Sequence, residues 1–220
     1  MDFSAPALLL NRRNCIVTPL VLAWTGISAS ASGAVRSSVL VLGDSLSAEY
    51  GLRRGSGWVA LAQQKLRQAR KQTQVVNASI SGDTSSGGRS RLPALLQQHQ
   101  PRVVVIELGA NDALRGLPLD MTRDNLTVMS RLAKASGARV LLLGIQVPPN
   151  YGRDYNQRFA QMFVQVATAT QAELVPFFLT GIADVPDSQR WFQADRIHPN
   201  EAAQPQILAN VWPALKDLLQ

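Results

Sequence analysis

An α/β fold of the doubly wound kind is what the 220-residue chain predicts. Three observations carry the prediction. Short apolar runs rich in Val, Leu and Ile recur along the chain, which is how strands buried on both faces read. Segments with apolar residues at helical spacing alternate with those runs. Neither an internal repeat nor a low-complexity linker interrupts the alternation after residue 34. Alternating strands and helices give a parallel sheet covered on both faces. The expected architecture is a three-layer α/β/α domain over residues 35–220, with five strands in the flavodoxin-like order 2-1-3-4-5 and strand 1 central.

The chain begins with a segment of another character. Arg12 and Arg13 precede an apolar stretch from Ile16 to Ile27, and small residues follow from Ser28 to Ala34. Basic start, short apolar centre and small-residue exit describe a secretory signal peptide, expected to be cleaved within residues 1–34. Pro19 and Thr25 interrupt the apolar stretch, which is too short for a membrane anchor. Cys15 precedes it, so a lipidated cysteine is not expected. The mature protein is then expected in the periplasm or outside the cell, without stable membrane insertion.

The first strand lies in Ser38-Val39-Leu40-Val41-Leu42 and breaks at Gly43, presenting Asp44 and Ser45. A polar, glycine-rich loop runs from Glu49 to Gly57. Trp58, Val59, Leu61, Ala62, Leu66 and Ala69 fall near helical spacing and predict a helix over Trp58–Ala69. Gln74–Ala78 reads as a second strand, followed by the turn chemistry of Ser81-Gly82-Asp83. Arg89–Gln98 is a helix ending before Pro101. Val103–Leu108 is the clearest buried strand and runs into Gly109-Ala110-Asn111-Asp112 as a loop.

Met121–Ala135 is an amphipathic helix stopped by Gly137. Arg139–Ile145 is a fourth strand, followed by a Pro- and Asn-rich loop to Arg153. Tyr155–Ala172 is a long helix with Phe159, Met162, Phe163 and Val166 at core spacing. Leu174–Phe178 reads as a fifth strand, an edge strand because of Pro176. Asp184–Asn200 is a loop. Ala202–Leu219 is a closing helix with a possible break at Pro213.

Composition excludes several classes of function. The formal net charge is +7, but the Lys and Arg residues are scattered with no aromatic-interleaved stripe, so a nucleic-acid partner is not expected. Two histidines and one cysteine do not suffice for a structural zinc site. Asp83 and Asp112 lack the His or Glu neighbours that a metal site would need, and no cofactor is expected. Gly55-Ser56-Gly57-Trp58-Val59-Ala60 has the form of a dinucleotide fingerprint. It follows no strand, and no acidic residue stands about 20 positions on.

The chemistry gathers where the strands end. Ligands in open α/β sheets sit beyond the carboxyl ends of the strands. Ser45, Gly82 and Asn111 occupy three such loops, and Asp195-Arg196-Ile197-His198-Pro199-Asn200 forms a fourth. A serine nucleophile needs a base, and the base an orienting acid. His99 lies at a polar helix end and reads as a surface residue. His198 lies in a turn three residues after Asp195, so one turn can hold both, or Asp195 and Asn200 can cap the last helix with His198 incidental. Backbone N–H groups at Ser45 and Gly82 and the Asn111 amide are candidate donors to an oxyanion. Asn111 can also be a plain turn residue before Asp112. Leu114, Leu117 and Leu119, with Pro149 and Tyr151 in the 146–153 loop, are candidates for an acyl groove or for simple loop packing. Leu117, Pro149 and Tyr151 are the residues expected to bind the substrate.

These blocks resemble the GDSL, or SGNH, hydrolase family. Gly43-Asp44-Ser45-Leu46, Gly82, Gly109-Ala110-Asn111-Asp112 and Asp195-Arg196-Ile197-His198 occur in the family's order across essentially the whole mature chain. The resemblance implies Ser45 as nucleophile, Asp195 and His198 as the rest of a triad, and an oxyanion hole of Ser45, Gly82 and Asn111. The loop Val147–Arg153 and the turn Ile197-His198-Pro199-Asn200 resemble the bacterial thioesterase, arylesterase and lysophospholipase subgroup. Arg196 departs from it, standing where glycine is frequent. A monomeric serine hydrolase acting on a small acyl ester or thioester, a lysophospholipid among the possibilities, is therefore expected. A carbohydrate O-deacetylase on the same scaffold and a non-catalytic binding module are the alternatives.

Overall fold

The computed structural model describes residues 1–2, 38–69 and 72–220. The residues that carry the signal-peptide reading, Arg12 to Ala34 with Cys15 among them, lie outside the described residues. Five strands form one parallel sheet in the order β2-β1-β3-β4-β5. They are β1 Ser38–Gly43, β2 Gln74–Asn77, β3 Val103–Glu107, β4 Arg139–Leu143 and β5 Glu173–Val175. The expected strand order is found, but the middle strand is β3, the most apolar run; β1 is an inner strand next to the edge strand β2. Every residue of β1 and β3 is buried, as the unbroken Val/Leu/Ile runs require of strands with helices on both faces. β2 is an edge strand and stays partly exposed.

Helices α1 (Trp58–Gln68) and α6 (Gln204–Leu218) pack together on one face. The opposite layer is α2 (Ser85–His99), α4 (Leu119–Ala135) and α5 (Arg153–Thr170), with α4 between the other two. A short α3 (Ala110–Leu114) follows β3. α1 buries Trp58, Val59, Ala62 and Leu66, four residues on one helical stripe. α5 likewise buries Phe159, Met162, Phe163 and Val166. Among the described residues no helix is long and apolar enough to cross a membrane.

Three boundaries differ from the expected ones for identifiable reasons. α2 starts at Ser85, four residues before the predicted Arg89, despite two serines and two glycines in its first turn. Thr84 caps it by accepting from the Gly87 N–H at 3.3 Å. The buried Asp112 carboxylate accepts the Ser85 N–H at 2.8 Å, so a tertiary contact overrides weak local propensity. α6 runs through Pro213 without a break, with Ile207, Leu208, Val211 and Leu215 buried on both sides of it. β5 stops at Val175, before Pro176. There the Pro176 carbonyl lies so close to Gly144 that a Cβ at residue 144 would meet it at 2.2 Å. That approach keeps the Phe178 N–H on the Gly144 carbonyl and carries the chain back under α6.

All five strands are parallel, so their carboxyl ends share one edge. The loops leaving β1 and β2 carry Ser45 and Gly82 to that edge, and Asn111 reaches it in the first turn of α3, where a loop was expected.

Candidate active site

Ser45 sits on the turn that leaves β1. The Asp44 carbonyl accepts the Ala48 N–H at 2.9 Å, and the Asp44 carboxylate accepts the Leu46 N–H at 3.0 Å. The turn is therefore closed on both sides of the serine. Its foundation is buried and polar. Glu107, the last residue of β3, accepts from the Asp44 N–H at 3.2 Å and from the Ser47 hydroxyl at 2.8 Å. Trp58 Nε1 donates to the same hydroxyl at 3.2 Å, and Asn77 Nδ2 donates to the Ser47 carbonyl at 2.7 Å. Gly43 is required beside this cluster, because a Cβ there would lie 2.7 Å from Glu107 Oε2.

His198 Nε2 lies 2.9 Å from Ser45 Oγ, and His198 Nδ1 lies 2.7 Å from Asp195 Oδ2. The other Asp195 oxygen accepts the Ile197 and His198 N–H groups at 2.9 and 3.0 Å. Burial pulls the Asp195 carboxyl upward, but those two N–H bonds and the imidazole outweigh it and hold the group at about 2. The loop closes on itself: the Gln193 N–H meets the His198 carbonyl at 2.8 Å, and Phe192 bridges Pro199. Arg196, in the middle, is left-handed at φ 59°, a conformation that costs a non-glycine residue energy. Tyr50 covers the imidazole with ring centroids 4.4 Å apart, and Gln193 Nε2 ties the Tyr50 carbonyl to the same loop at 2.8 Å.

Opposite the serine, the N–H groups of Ser45 and Gly82 donate to no protein group among the described residues. Gly82 is left-handed at φ 78°, and Arg115 Nη2 donates to its carbonyl at 2.8 Å, fixing that peptide plane. The Asn111 amide donates to Asp44 Oδ2 at 3.0 Å and to the Asp83 carbonyl at 2.9 Å. Asn111 is thus tied to both neighbouring loops. Asp112 next to it ties α3 to the start of α2 through Ser85 and to α4 through the Thr122 hydroxyl. The structure brings Ser45, Asp195 and His198 within hydrogen-bond reach, with Asn111 against Asp44. His99 is elsewhere, at the end of α2.

A cleft of about 1070 Å³ opens at Ser45 and His198. Its apolar wall is Leu114, Ile145, Val147, Phe177, Leu179 and Phe192, and the side chains of Arg153 and Arg196 also line it. The expected groove residues Leu117 and Tyr151 do not. Leu117 lines a separate cavity of about 490 Å³ with Leu119, Tyr155 and Met162, because the chain reverses after α3 with the Leu117 N–H on the Asp112 carbonyl. Tyr151 packs at a tilt against Tyr155, 5.8 Å between centroids, at the end of an aromatic row leading to Phe159 and Phe163. Pro149 opens the 3-10 turn Pro149–Tyr151, at which the chain leaves the cleft; Val147 and Pro148 before it are the lining residues.

Sequence reasoning missed Glu107, Tyr50 and Arg115. Glu107 carried a signal, a charge inside the most apolar strand. Tyr50 and Arg115 sit in polar loops and carried none.

Comparison with known proteins identifies relatives of the whole domain. The model of the GDSL-like lipase/acylhydrolase family matches residues 41–204. Esterase TesA of Pseudomonas aeruginosa is 53% identical over 186 residues, covering 84% of this chain and 91% of its own. Thioesterase 1/protease 1/lysophospholipase L1 of Escherichia coli K12 is 46% identical over 174 residues, covering 79% and 81%. The crystal structure of the psychrotrophic esterase EstA from a Pseudoalteromonas species, inhibited by monoethylphosphonate, superposes with a TM-score of 0.77 at 43% identity. It covers 83% of this chain and 98% of its own.

Proposed function

The chain belongs to the GDSL-like lipase/acylhydrolase family and is an ester hydrolase, and from that premise we propose that it works through an acyl-enzyme on Ser45. The observation that carries the proposal is the line Asp195–His198–Ser45, with links of 2.7 and 2.9 Å.

Ser45 Oγ attacks the acyl carbonyl carbon while His198 Nε2 takes its proton. Asp195 receives the Nδ1–H, which fixes the tautomer and stabilises the imidazolium. The carbonyl oxygen becomes an oxyanion and meets the N–H groups of Ser45 and Gly82 and the Asn111 amide. Both hydrogens of that amide are engaged before substrate arrives. The hydrogen on Asp44 is the one that shifts toward the oxyanion, since the bond to Asp83 belongs to the loop framework. Collapse breaks the C–O or C–S bond, and His198 returns the proton to the leaving alcohol or thiol. Water then attacks the acyl carbon by the same base catalysis, releasing the carboxylic acid and Ser45.

The substrate class is an ester or thioester with an apolar acyl or aryl group, seated against Val147, Phe177 and Phe192. Thioester, aryl ester and lysophospholipid all fit a cleft of this size. We further propose cleavage of residues 1–34 during export, with action in the periplasm or outside the cell. Hydrolysis of a p-nitrophenyl ester by the purified mature chain, abolished in Ser45→Ala, tests the reaction. A Ser45→Ala protein that keeps full activity overturns it. Mass spectrometry of exported protein tests the processing, which an intact Met1 contradicts.

A further inference from the structure

We propose that Glu107 is a positioning residue for this reaction, held as a neutral acid that donates to the Asp44 carboxylate and so sets both the Ser45 turn and the Asn111 amide. The inference rests on the serine-hydrolase reading above and adds to it a residue that never touches substrate.

Glu107 and Asp44 are each 1% exposed. Glu107 Oε2 lies 3.2 Å from the Asp44 nitrogen, so the two acids are neighbours in the core, and neither forms a salt bridge among the described residues. Two buried carboxylates in contact do not both ionise when no cation pairs with them. One of the two therefore keeps a proton, which can lie between them. The surroundings decide which one holds it. Asp44 accepts from the Leu46 N–H and the Asn111 amide and has His198 nearby, all of which favour its charge, while Asp83 opposes it. Asp83 is itself paired with Arg91. Glu107 accepts only from the Asp44 N–H and the Ser47 hydroxyl, through the one oxygen Oε2. The Asp44 charge adds to burial in raising it. The proton therefore belongs to Glu107.

The arrangement has two consequences for Ser45. Glu107 fixes the turn from below through the Asp44 N–H and Ser47. By occupying a lone pair of the Asp44 carboxylate it also weakens that group as an acceptor, which frees the Asn111 N–H to follow the developing oxyanion. A second negative charge at this place would hold Asn111 back and repel the oxyanion.

Glu107→Gln keeps a donor toward Asp44 and an acceptor toward Ser47 but does not titrate. Glu107→Ala removes both. The test is kcat and KM from pH 5 to 10 on one p-nitrophenyl ester, with thermal unfolding, for wild type, both variants and Ser45→Ala. Glu107→Ala is expected to lose about 10²-fold in kcat, the size of a small displacement of reacting groups, with KM little changed. Glu107→Gln is expected to stay within a few-fold of wild type at pH 7 and to lose an alkaline decline in kcat that wild type shows. The proposal is overturned if folded Glu107→Ala keeps wild-type kcat. It is also overturned if Glu107→Gln loses as much as Ala, or keeps the alkaline decline. An inert wild type or an active Ser45→Ala protein would instead sink the serine-hydrolase reading.

Discussion

Arg115, one residue beyond α3, donates from Nη2 to the Gly82 carbonyl at 2.8 Å, so the loop after β3 holds the peptide that follows β2. The contact holds the Gly82 carbonyl and leaves the Gly82 N–H, on the preceding peptide, unoccupied by it. Arg115→Ala is expected to lower kcat about tenfold, in line with about 1.5 kcal/mol for a hydrogen bond to a charged group. KM and melting temperature are expected to change little, because the side chain is exposed. Steady-state kinetics beside thermal unfolding measure both, and an unchanged kcat would show that Arg115 does not hold Gly82 for the reaction.

Asn111 is the second donor to test. Losing one oxyanion donor costs about 10²–10³-fold in kcat. Asn111→Ala should fall in that range, with KM nearly constant, since the bond strengthens only as charge develops. Asn111→Asp should do no better, because an ionised carboxylate donates nothing and faces Asp44. Retained kcat with a lower melting temperature would make Asn111 a loop brace only.

Stability should depend on pH with two opposite signs. Burial raises the Asp44 carboxyl from 3.8 to about 6. The folded chain then holds that proton more tightly than the unfolded chain, so stability falls as pH rises from about 4 to about 6. Glu107, raised by burial and by Asp44, extends the fall to higher pH. Asp195 works the other way. Held at about 2 against 3.8, it contributes stability above about pH 4 that is lost as pH falls toward 2. Urea unfolding from pH 3 to 9 should show Glu107→Gln with a shallower alkaline slope than wild type. Identical slopes would contradict the buried carboxyl pair.

The cleft wall makes a prediction about substrates. Val147 and Phe177 line the space beside Ser45, whereas Tyr151 packs on Tyr155 away from it. Across p-nitrophenyl esters of increasing acyl length, Phe177→Ala should change the profile of kcat/KM, because each buried methylene is worth about 0.8 kcal/mol. Tyr151→Ala should leave the profile as in wild type. The reverse pattern would place the acyl group against Tyr151 and away from this wall.

The fold was legible because its signals are local. β1 and β3 are unbroken apolar runs, and α5 carries its core residues at helical spacing. The start of α2 was illegible because it depends on Asp112, 27 residues away from Ser85 in sequence. α3 was hidden by its five-residue length inside what reads as a turn. At the site, Ser45, Gly82, Asn111, Asp195 and His198 announce themselves by residue type at strand ends and in one short turn. The groove does not, since the direction of a loop after Pro148 is set by tertiary packing on Tyr155 and not by its composition. Glu107 is intermediate: its charge was visible in the strand, but its partner Asp44 is 63 positions away.

Ser45 is the residue on which the account depends. Treating the wild-type chain with a fluorophosphonate ester and mapping the adduct by peptide mass spectrometry measures it directly. One adduct per chain is expected, on Ser45, with turnover lost in step. Ser45→Ala should take no label, His198→Ala should label far more slowly, and His99→Ala should label as wild type does. An adduct on another residue, or labelling that survives in Ser45→Ala, would contradict the assignment of the nucleophile.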